Sequence, residues 1–347
     1  MLLLFLNSAL LARDFNKNDS LLFIENERNS IAIFQNVAEA IVNVSNLVKI
    51  QNILTLSETE IESGVGSGFI WDKEGHIVTN FHVVDGGTSF LIAFKDDKKQ
   101  YRAQLIGADP IKDIAVLKLE EKRTLFKPVI LGESDSLLVG QKALAIGCPL
   151  GLNHTLTTGT ISALDRKIKG YGGISITGMI QTDASINPGN SGGALLDSRG
   201  KLIGINTILY NASGAQSSAG LGFAIPVDTV KSIVPQLIKY GKVIRPGLGM
   251  VFLEDFFATR LGLLDGVMIK YIDPNGPASK EELQGISRNI WGQYTFGDII
   301  TNINGIPVKN NDDLFSAIEK YKIGDKVKIT YLRENKEKTV TITLVQM

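Results

Sequence analysis

Apolar and polar residues alternate in short runs along most of this chain, and the period changes at only a few places. From about 41 to 227 the runs are brief and bounded by turn-forming residues. Examples are Ile41-Val42-Asn43-Val44, Ser67-Gly68-Phe69-Ile70-Trp71, Ala143-Leu144-Ala145-Ile146-Gly147 and Leu202-Ile203-Gly204-Ile205. Many short strands separated by turns predict an all-β barrel or sandwich. Helical spacing appears on either side of this region. Ser30 stands where a cap belongs, ahead of Ile31, Phe34, Val37, Ala38 and Ile41. At 227–240, Val230, Ile233, Val234, Leu237 and Ile238 share one face, and Gly241 supplies a stop. Residues 242–246 read as a linker. Beyond them the pattern becomes mixed, with strands near 247–252, 266–269 and 296–305, a helix at 312–321, and closing strands at 326–332 and 338–344. The chain therefore divides into an apolar N-terminal arm at 1–28, a β-rich domain at 29–241 and an αβ domain at 242–347.

Composition narrows the picture a little further. A chain of 347 residues is long for one core, so two or three domains are expected. Lys and Arg number 36 and so do Asp and Glu, which gives no sign of a nucleic-acid partner. A single cysteine excludes an internal disulfide framework but leaves the redox compartment open. The apolar run at 1–12 is too short to span a bilayer. Two readings stand: the core of an export signal cut after Ala9 or Ala12, or an uncleaved arm or the remainder of a longer signal. Leu21-Leu22-Phe23-Ile24 forms a second apolar patch with no evident internal use.

The chemistry concentrates at Asn187-Pro188-Gly189-Asn190-Ser191-Gly192-Gly193. Glycines around a serine let a carbonyl approach its hydroxyl and let backbone N–H groups, here of Gly189 and Ser191 with Asn190 between them, converge on a developing oxyanion. A serine needs a base and a group that orients the base. His82 follows the apolar run 77–81 just ahead of Asp85-Gly86-Gly87, and Asp113 opens the alternating run 114–119. Singly, each has a structural reading: a hydrogen-bonded histidine, a turn aspartate, a glycine-serine turn. Together they fall in the order His, Asp, Ser of chymotrypsin-type peptidases, which differs from that of subtilisins and α/β-hydrolases.

Four segments carry a closer likeness: Thr79-Asn80-Phe81-His82-Val83-Val84, Asp113-Ile114-Ala115-Val116-Leu117-Lys118, Thr158-Gly159-Thr160-Ile161-Ser162-Ala163 and the run from Gln181 through Leu195 around Ser191. With Gly204-Ile205-Asn206-Thr207 and Gly222-Phe223-Ala224-Ile225-Pro226, they closely resemble the HtrA/Deg family of serine proteases. The resemblance implies a mainly β chain, with a chymotrypsin-like pair of six-stranded barrels followed by one PDZ domain. It implies an ATP-independent endopeptidase acting on unfolded or damaged proteins, with His82, Asp113 and Ser191 as catalytic residues and no cofactor or metal. Ile186, Ile205, Asn206 and Thr207 would wall a pocket for a small aliphatic side chain. Asn190 stands where typical trypsin-like enzymes carry an aspartate that pairs with a new N-terminus. A neutral amide cannot form that pair, so activation is expected to be conformational, through loops at 148–154, 166–174 and 211–218, with Arg166 as the regulatory arginine.

The same resemblance implies trimers or multiples of trimers, and export to a periplasm or an organelle lumen. Gly247-Leu248-Gly249 fits a PDZ carboxylate loop, where small residues expose N–H groups to a peptide C-terminus. Residues 284–294, with Trp291, exceed what a compact PDZ domain needs and resemble an insert of plant chloroplast members. Cys148 is expected to be a packed thiol. The rival reading is an HtrA-like holdase or peptide-binding scaffold without cleavage; an esterase is a third.

Overall fold

The computed structural model describes residues 23–51, 58–121, 123, 125–149, 154–170, 175–207, 220–263, 265–289 and 292–346. The first element is helix α1, Glu25–Val37. It begins well ahead of the expected cap. The Ile24 N–H donates to Glu27 Oε2 at 3.0 Å, while the Ser30 hydroxyl lies inside the helix and bonds back to the Asn26 carbonyl at 3.0 Å. The first turn is polar and held by this local bond and its acidic side chains rather than by apolar contact, so hydrophobic periodicity misses it.

The alternating runs resolve into two closed barrels. The first contains β1 (Ile41–Gln51), β2 (Glu58–Ile70), β3 (His76–Thr79), β4 (Ser89–Phe94), β5 (Gln100–Asp109) and β6 (Ile114–Leu119), with the short helix α2 (Phe81–Val84) between β3 and β4. Its strands close in the order β1-β2-β3-β6-β5-β4. The second contains β7 (Lys142–Gly147), β8 (Thr155–Lys169), β9 (Ser175–Thr182), β10 (Ala194–Leu196), β11 (Leu202–Thr207) and β12 (Gly222–Pro226), closing as β10-β11-β12-β9-β8-β7. Closure leaves neither sheet with an edge strand. Ile161, Ile180, Leu195 and Ile203 fill the second barrel against the small Ala143, Ala145 and Ala224.

Helix α3, Val227–Tyr240, has the bounds that its stripe predicts. Val227, Val230, Ile233, Val234 and Leu237 are buried, and Gly241, at a φ of 74°, stops the helix by donating to the Leu237 carbonyl at 2.9 Å. In its first turn Asp228 accepts from Ser134 N–H (2.6 Å), Ser134 Oγ (2.8 Å), Asp135 N–H (3.0 Å) and Lys231 Nζ (2.8 Å). Burial opposes ionisation here, but the hydrogen bonds from Lys231, Ser134 and Asp135 outweigh it and hold the carboxyl well below the usual carboxylate range. A depressed folded pKa contributes stability that is full above the unfolded value and is lost as pH falls. Asp228→Ala is expected to cost roughly 1–3 kcal/mol at neutral pH, and less below about pH 4. Urea unfolding of both proteins at pH 7 and pH 3 checks this.

The C-terminal elements are β13 (Pro246–Gly247), β14 (Met250–Phe252), α4 (Asp255–Arg260), β15 (Val267–Ile272), β16 (Ser287–Arg288), β17 (Tyr294–Thr295), β18 (Ile299–Ile303), β19 (Ile306–Pro307), α5 (Asn311–Ile318), β20 (Lys326–Arg333), β21 (Lys336–Thr343) and β22 (Val345–Gln346). The main sheet runs β14-β15-β18-β20-β21 over a core that includes Leu248, Ile269, Ile300, Leu314, Val327 and Ile329. The extra residues at 284–294 contribute β16 and the first residue of β17 to a short hairpin; Trp291 lies outside the described residues. Asp298 anchors this insert by accepting the Gln284 N–H at 2.7 Å, and Arg333 forks onto the same carboxylate with both contacts at 2.7 Å.

Packing divides the chain into two compact units: Met1–Leu105 with Ile114–Arg166 and Gly178–Lys231, and Ile106–Asp113 with Lys167–Thr177 and Ser232–Met347. Among the described residues no helix is long and apolar enough to cross a membrane.

Candidate active site

The apolar run through Val84 does not continue as one strand. β3 ends at Thr79, Asn80 is extended, and Phe81–Val84 form a single helical turn that carries His82. Val83 and Val84 are buried, so this turn is apolar for the same reason a strand would be, and periodicity over four residues cannot separate the two. From β1, the Asn46 Nδ2 donates to the carbonyls of Val83 and Asp85, both at 3.0 Å, and so satisfies acceptors that the end of the turn leaves open. Asp113 sits immediately before β6, buried and at a φ of 55°, in a region that aspartate tolerates better than most residues. Pairing of Thr79 with Ala115 places the start of β6 beside the end of β3, where the His82 turn begins.

Ser191 follows a type II turn. Pro188 and Gly189 are its central residues, Gly189 has a φ of 94°, and the Asn190 N–H donates to the Asn187 carbonyl at 2.9 Å. The backbone after the serine is pinned on both sides, by Gly192 N–H to Asn206 O, Asn206 N–H to Gly193 O, and Gly193 N–H to Asn190 O, each at 2.9 Å. From the first barrel, Ser67 reaches across to the same turn. Its N–H donates to the Ser191 carbonyl at 2.8 Å, and its hydroxyl donates to the Gly189 carbonyl at 2.5 Å while accepting the Cys148 N–H at 2.7 Å. Thr79 Oγ1 in turn donates to the Ser67 carbonyl at 2.7 Å. Pattern and resemblance give Ser67, Thr79 and Asn46 no role at the site. The available signal was Gly66-Ser67-Gly68, since glycines inside a strand mark a close backbone approach.

One cavity of about 520 Å³ is lined by His82, Gly189 and Ser191 together with Asn46, Val83 and Asp85. The fold thus brings three of the expected site residues to one wall of open space. Ile186, Ile205, Asn206 and Thr207 are buried within the second barrel, at 3%, 0%, 0% and 5% exposure. Asn206 backs the turn that carries Ser191, and its side chain donates to the Ala194 carbonyl at 3.0 Å. Arg166 lies on strand β8 rather than in a loop, and its Nε donates to Gln181 Oε1 at 2.9 Å. Residues 150–153, 171–174 and 208–219, which hold most of the expected activation loops, are outside the described residues, as are Leu21 and Leu22; Ile24 is exposed.

The remaining histidines and the cysteine have structural surroundings. His76 and Asp72 are joined at 2.6 Å through Nδ1. His154 Nε2 donates to the Ile41 carbonyl at 2.8 Å, and burial lowers its pKa. Cys148 is buried, which pushes its thiol up from the ordinary value. In the C-terminal unit, Gly247, Leu248 and Gly249 line a groove of about 340 Å³ with Met250, Phe252, Phe315 and Ile318. The Leu248 side chain is buried in the core.

The Trypsin-like peptidase domain family matches residues 66–205, and the PDZ domain family matches residues 246–344. Protease Do-like 1, chloroplastic, of Arabidopsis thaliana is 46% identical over 92% of this chain and 72% of its own length. A probable periplasmic serine endoprotease DegP-like of Brucella suis biovar 1 (strain 1330) is 37% identical over 81% of this chain and 52% of its own length. The solved structure of the HtrA-type protease AlgW with a decapeptide aligns at a TM-score of 0.64 and 32% identity, covering 92% of this chain and 98% of that one.

Proposed function

Since the chain belongs to the HtrA/Deg family of serine endopeptidases, we propose that it cleaves unfolded or damaged proteins, without ATP, through His82, Asp113 and Ser191. The observation that carries this reading is the cavity that His82, Ser191 and the glycine turn before Ser191 line together. His82, held in its productive tautomer by Asp113, takes the Ser191 proton as the hydroxyl attacks a peptide carbonyl. It then delivers that proton to the leaving amine. The N–H groups of Gly189 and Ser191 receive the oxyanion, with the Asn190 backbone holding the turn. Digestion of β-casein, with loss in Ser191→Ala, tests the assignment; undiminished digestion by that variant would place the nucleophile elsewhere.

Specificity and control belong to the same reading. The residue before the cut is a small aliphatic one, received near Ile186 and 205–207. The groove beside Leu248 takes a peptide C-terminus onto β14, and Met250, Phe252, Phe315 and Ile318 favour an apolar last side chain. Arg166 takes part in switching, the assembly is a trimer or a multiple of it, and the compartment is a periplasm or an organelle lumen, in line with the names of the relatives. A scaffold without proteolysis would have no use for the constellation around Ser191.

Ser67 is a positioning residue in this scheme. Ser67→Ala removes its hydroxyl bond to Gly189 and leaves the Cys148 N–H without that acceptor, so kcat is expected to fall roughly 10- to 100-fold with KM little changed. Ser67→Thr, which keeps the hydroxyl, should recover part of the loss. Equal Tm values with an unchanged kcat in Ser67→Ala would remove the residue from the scheme.

A further inference from the structure

Asn46 is a buried polar residue on a strand face that is otherwise aliphatic. It is 3% exposed and shares that face of β1 with Val42 and Val44, both fully buried. Packing alone would favour a third aliphatic side chain there, because a buried amide costs stability unless it is hydrogen-bonded. Two features fix where the amide goes. The register of β1 against β2 shifts between Asn46 and Leu47, leaving Ser63 as the extra residue of a bulge, and the Ser63 hydroxyl donates to the Asn46 carbonyl at 3.3 Å. Bulges re-aim side chains beside a site. On the other edge of β1, Asn46 pairs with Phe90, and the Thr88 N–H donates to the Leu47 carbonyl at 2.8 Å. The strand is thus held from both sides at the point where the side chain leaves it.

The amide has one orientation that works. Its Nδ2 serves two acceptors, the Val83 and Asp85 carbonyls, both at 3.0 Å. Turned over, it would set an oxygen against two carbonyl oxygens. Oδ1 instead stands over Gly87, where a Cβ would come within 2.3 Å of it, so the glycine leaves room for the amide. Val83 follows His82 directly, and Asp85 ends the helical turn that carries it. A single turn of helix keeps little direction by itself, so these two bonds from β1 fix how the His82 backbone sits. The neighbouring strand holds the other proposed reactant. Ser67, on β2, clasps the turn that carries Ser191, and it pairs with Asn43, three residues before Asn46 on β1. The β1–β2 ladder therefore bears one clasp for each reactant, about 10 Å apart along the strand. We propose that Asn46 is the positioning residue of the base: its amide sets the distance and direction from which the His82 imidazole reaches the Ser191 hydroxyl. This inference rests on the reading of His82 and Ser191 as the reacting pair.

The test compares the unsubstituted chain with Asn46→Leu, which keeps the shape of the side chain without its donors, and Asn46→Ser, which keeps a shorter donor without the shape. kcat and KM are measured on a peptide substrate and expressed per site titrated with a fluorophosphonate, which removes any unfolded fraction. In Asn46→Leu, kcat should fall roughly 10- to 100-fold with KM within about twofold, since a misplacement of about 1 Å suffices for such a loss. Asn46→Ser should recover part of it. A kcat within about twofold of the unsubstituted value in Asn46→Leu, a loss that appears in KM instead, or a loss as deep in Asn46→Ser overturns the positioning role. Fluorophosphonate labelling of the unsubstituted chain keeps the two levels apart. Labelling at Ser191 with unmoved kcat in the variants overturns the role of Asn46 alone, whereas no labelling overturns the underlying pair as well.

Discussion

Ser191→Ala and His82→Ala should each lower casein turnover by about 10⁴- to 10⁶-fold, because the members of a nucleophile-base unit act together and losing either one forfeits nearly the whole advantage. The fold should survive both changes. Ser191 is buried in a turn held by its backbone, through Ser67 N–H to the Ser191 carbonyl and through the bonds of Gly192 and Gly193, and none of these uses the hydroxyl. Circular dichroism and Tm should therefore match those of the unsubstituted protein. The double variant should be little worse than either single one. Losses that multiplied would mean that the two side chains act independently, which the proposed mechanism forbids.

Gly192→Ala should also be strongly damaging, through geometry alone. Gly192 has a φ of 83°, and a Cβ placed there would stand 2.1 Å from the Ser67 carbonyl oxygen and 2.4 Å from Thr79 Oγ1. The clash is with backbone on one side and with a buried, hydrogen-bonded hydroxyl on the other, so neither gives way cheaply. Either the nucleophile turn or β2 must shift. A displacement of even 1 Å would move Ser191 and both proposed oxyanion donors out of register with a substrate, and a loss of at least about 10²-fold in kcat is expected. Unlike Ser191→Ala, this variant should also lose Tm. Retention of full activity would mean that the tight approach of Ser67 to the turn is dispensable.

The parts that the sequence made legible are those whose signal is local. Helix α3 was readable because a buried stripe and a terminal glycine coincide, and the turn at Ser191 because glycines crowd around a serine. The two barrels followed from strand alternation joined to the family resemblance. Other features were hidden for physical reasons. The first turn of α1 is polar and tied by its own side chains. The turn bearing His82 is apolar over too few residues to show a period. Ile205 and Asn206 fall in a stretch where both strand faces are buried, so alternation says nothing of which residues meet a substrate, and their expected place in a pocket wall rests on the resemblance alone. Ser67 matters through a partner far away in the chain, which no window of sequence reveals.

That separation bears on how the molecule comes into being. The Ser67 hydroxyl and the Gly189 carbonyl that it holds are 122 residues apart, and β2 leaves the ribosome long before the segment it clasps. A contact of such long range is paid for in loop-closure entropy and forms late. The Ser67 contact can thus form only after the segment around Gly189 has been made, and until then the chain carries the proposed base without the proposed nucleophile. Under the proposed mechanism, a chain still under synthesis would lack the means to cut an unfolded polypeptide, its own included.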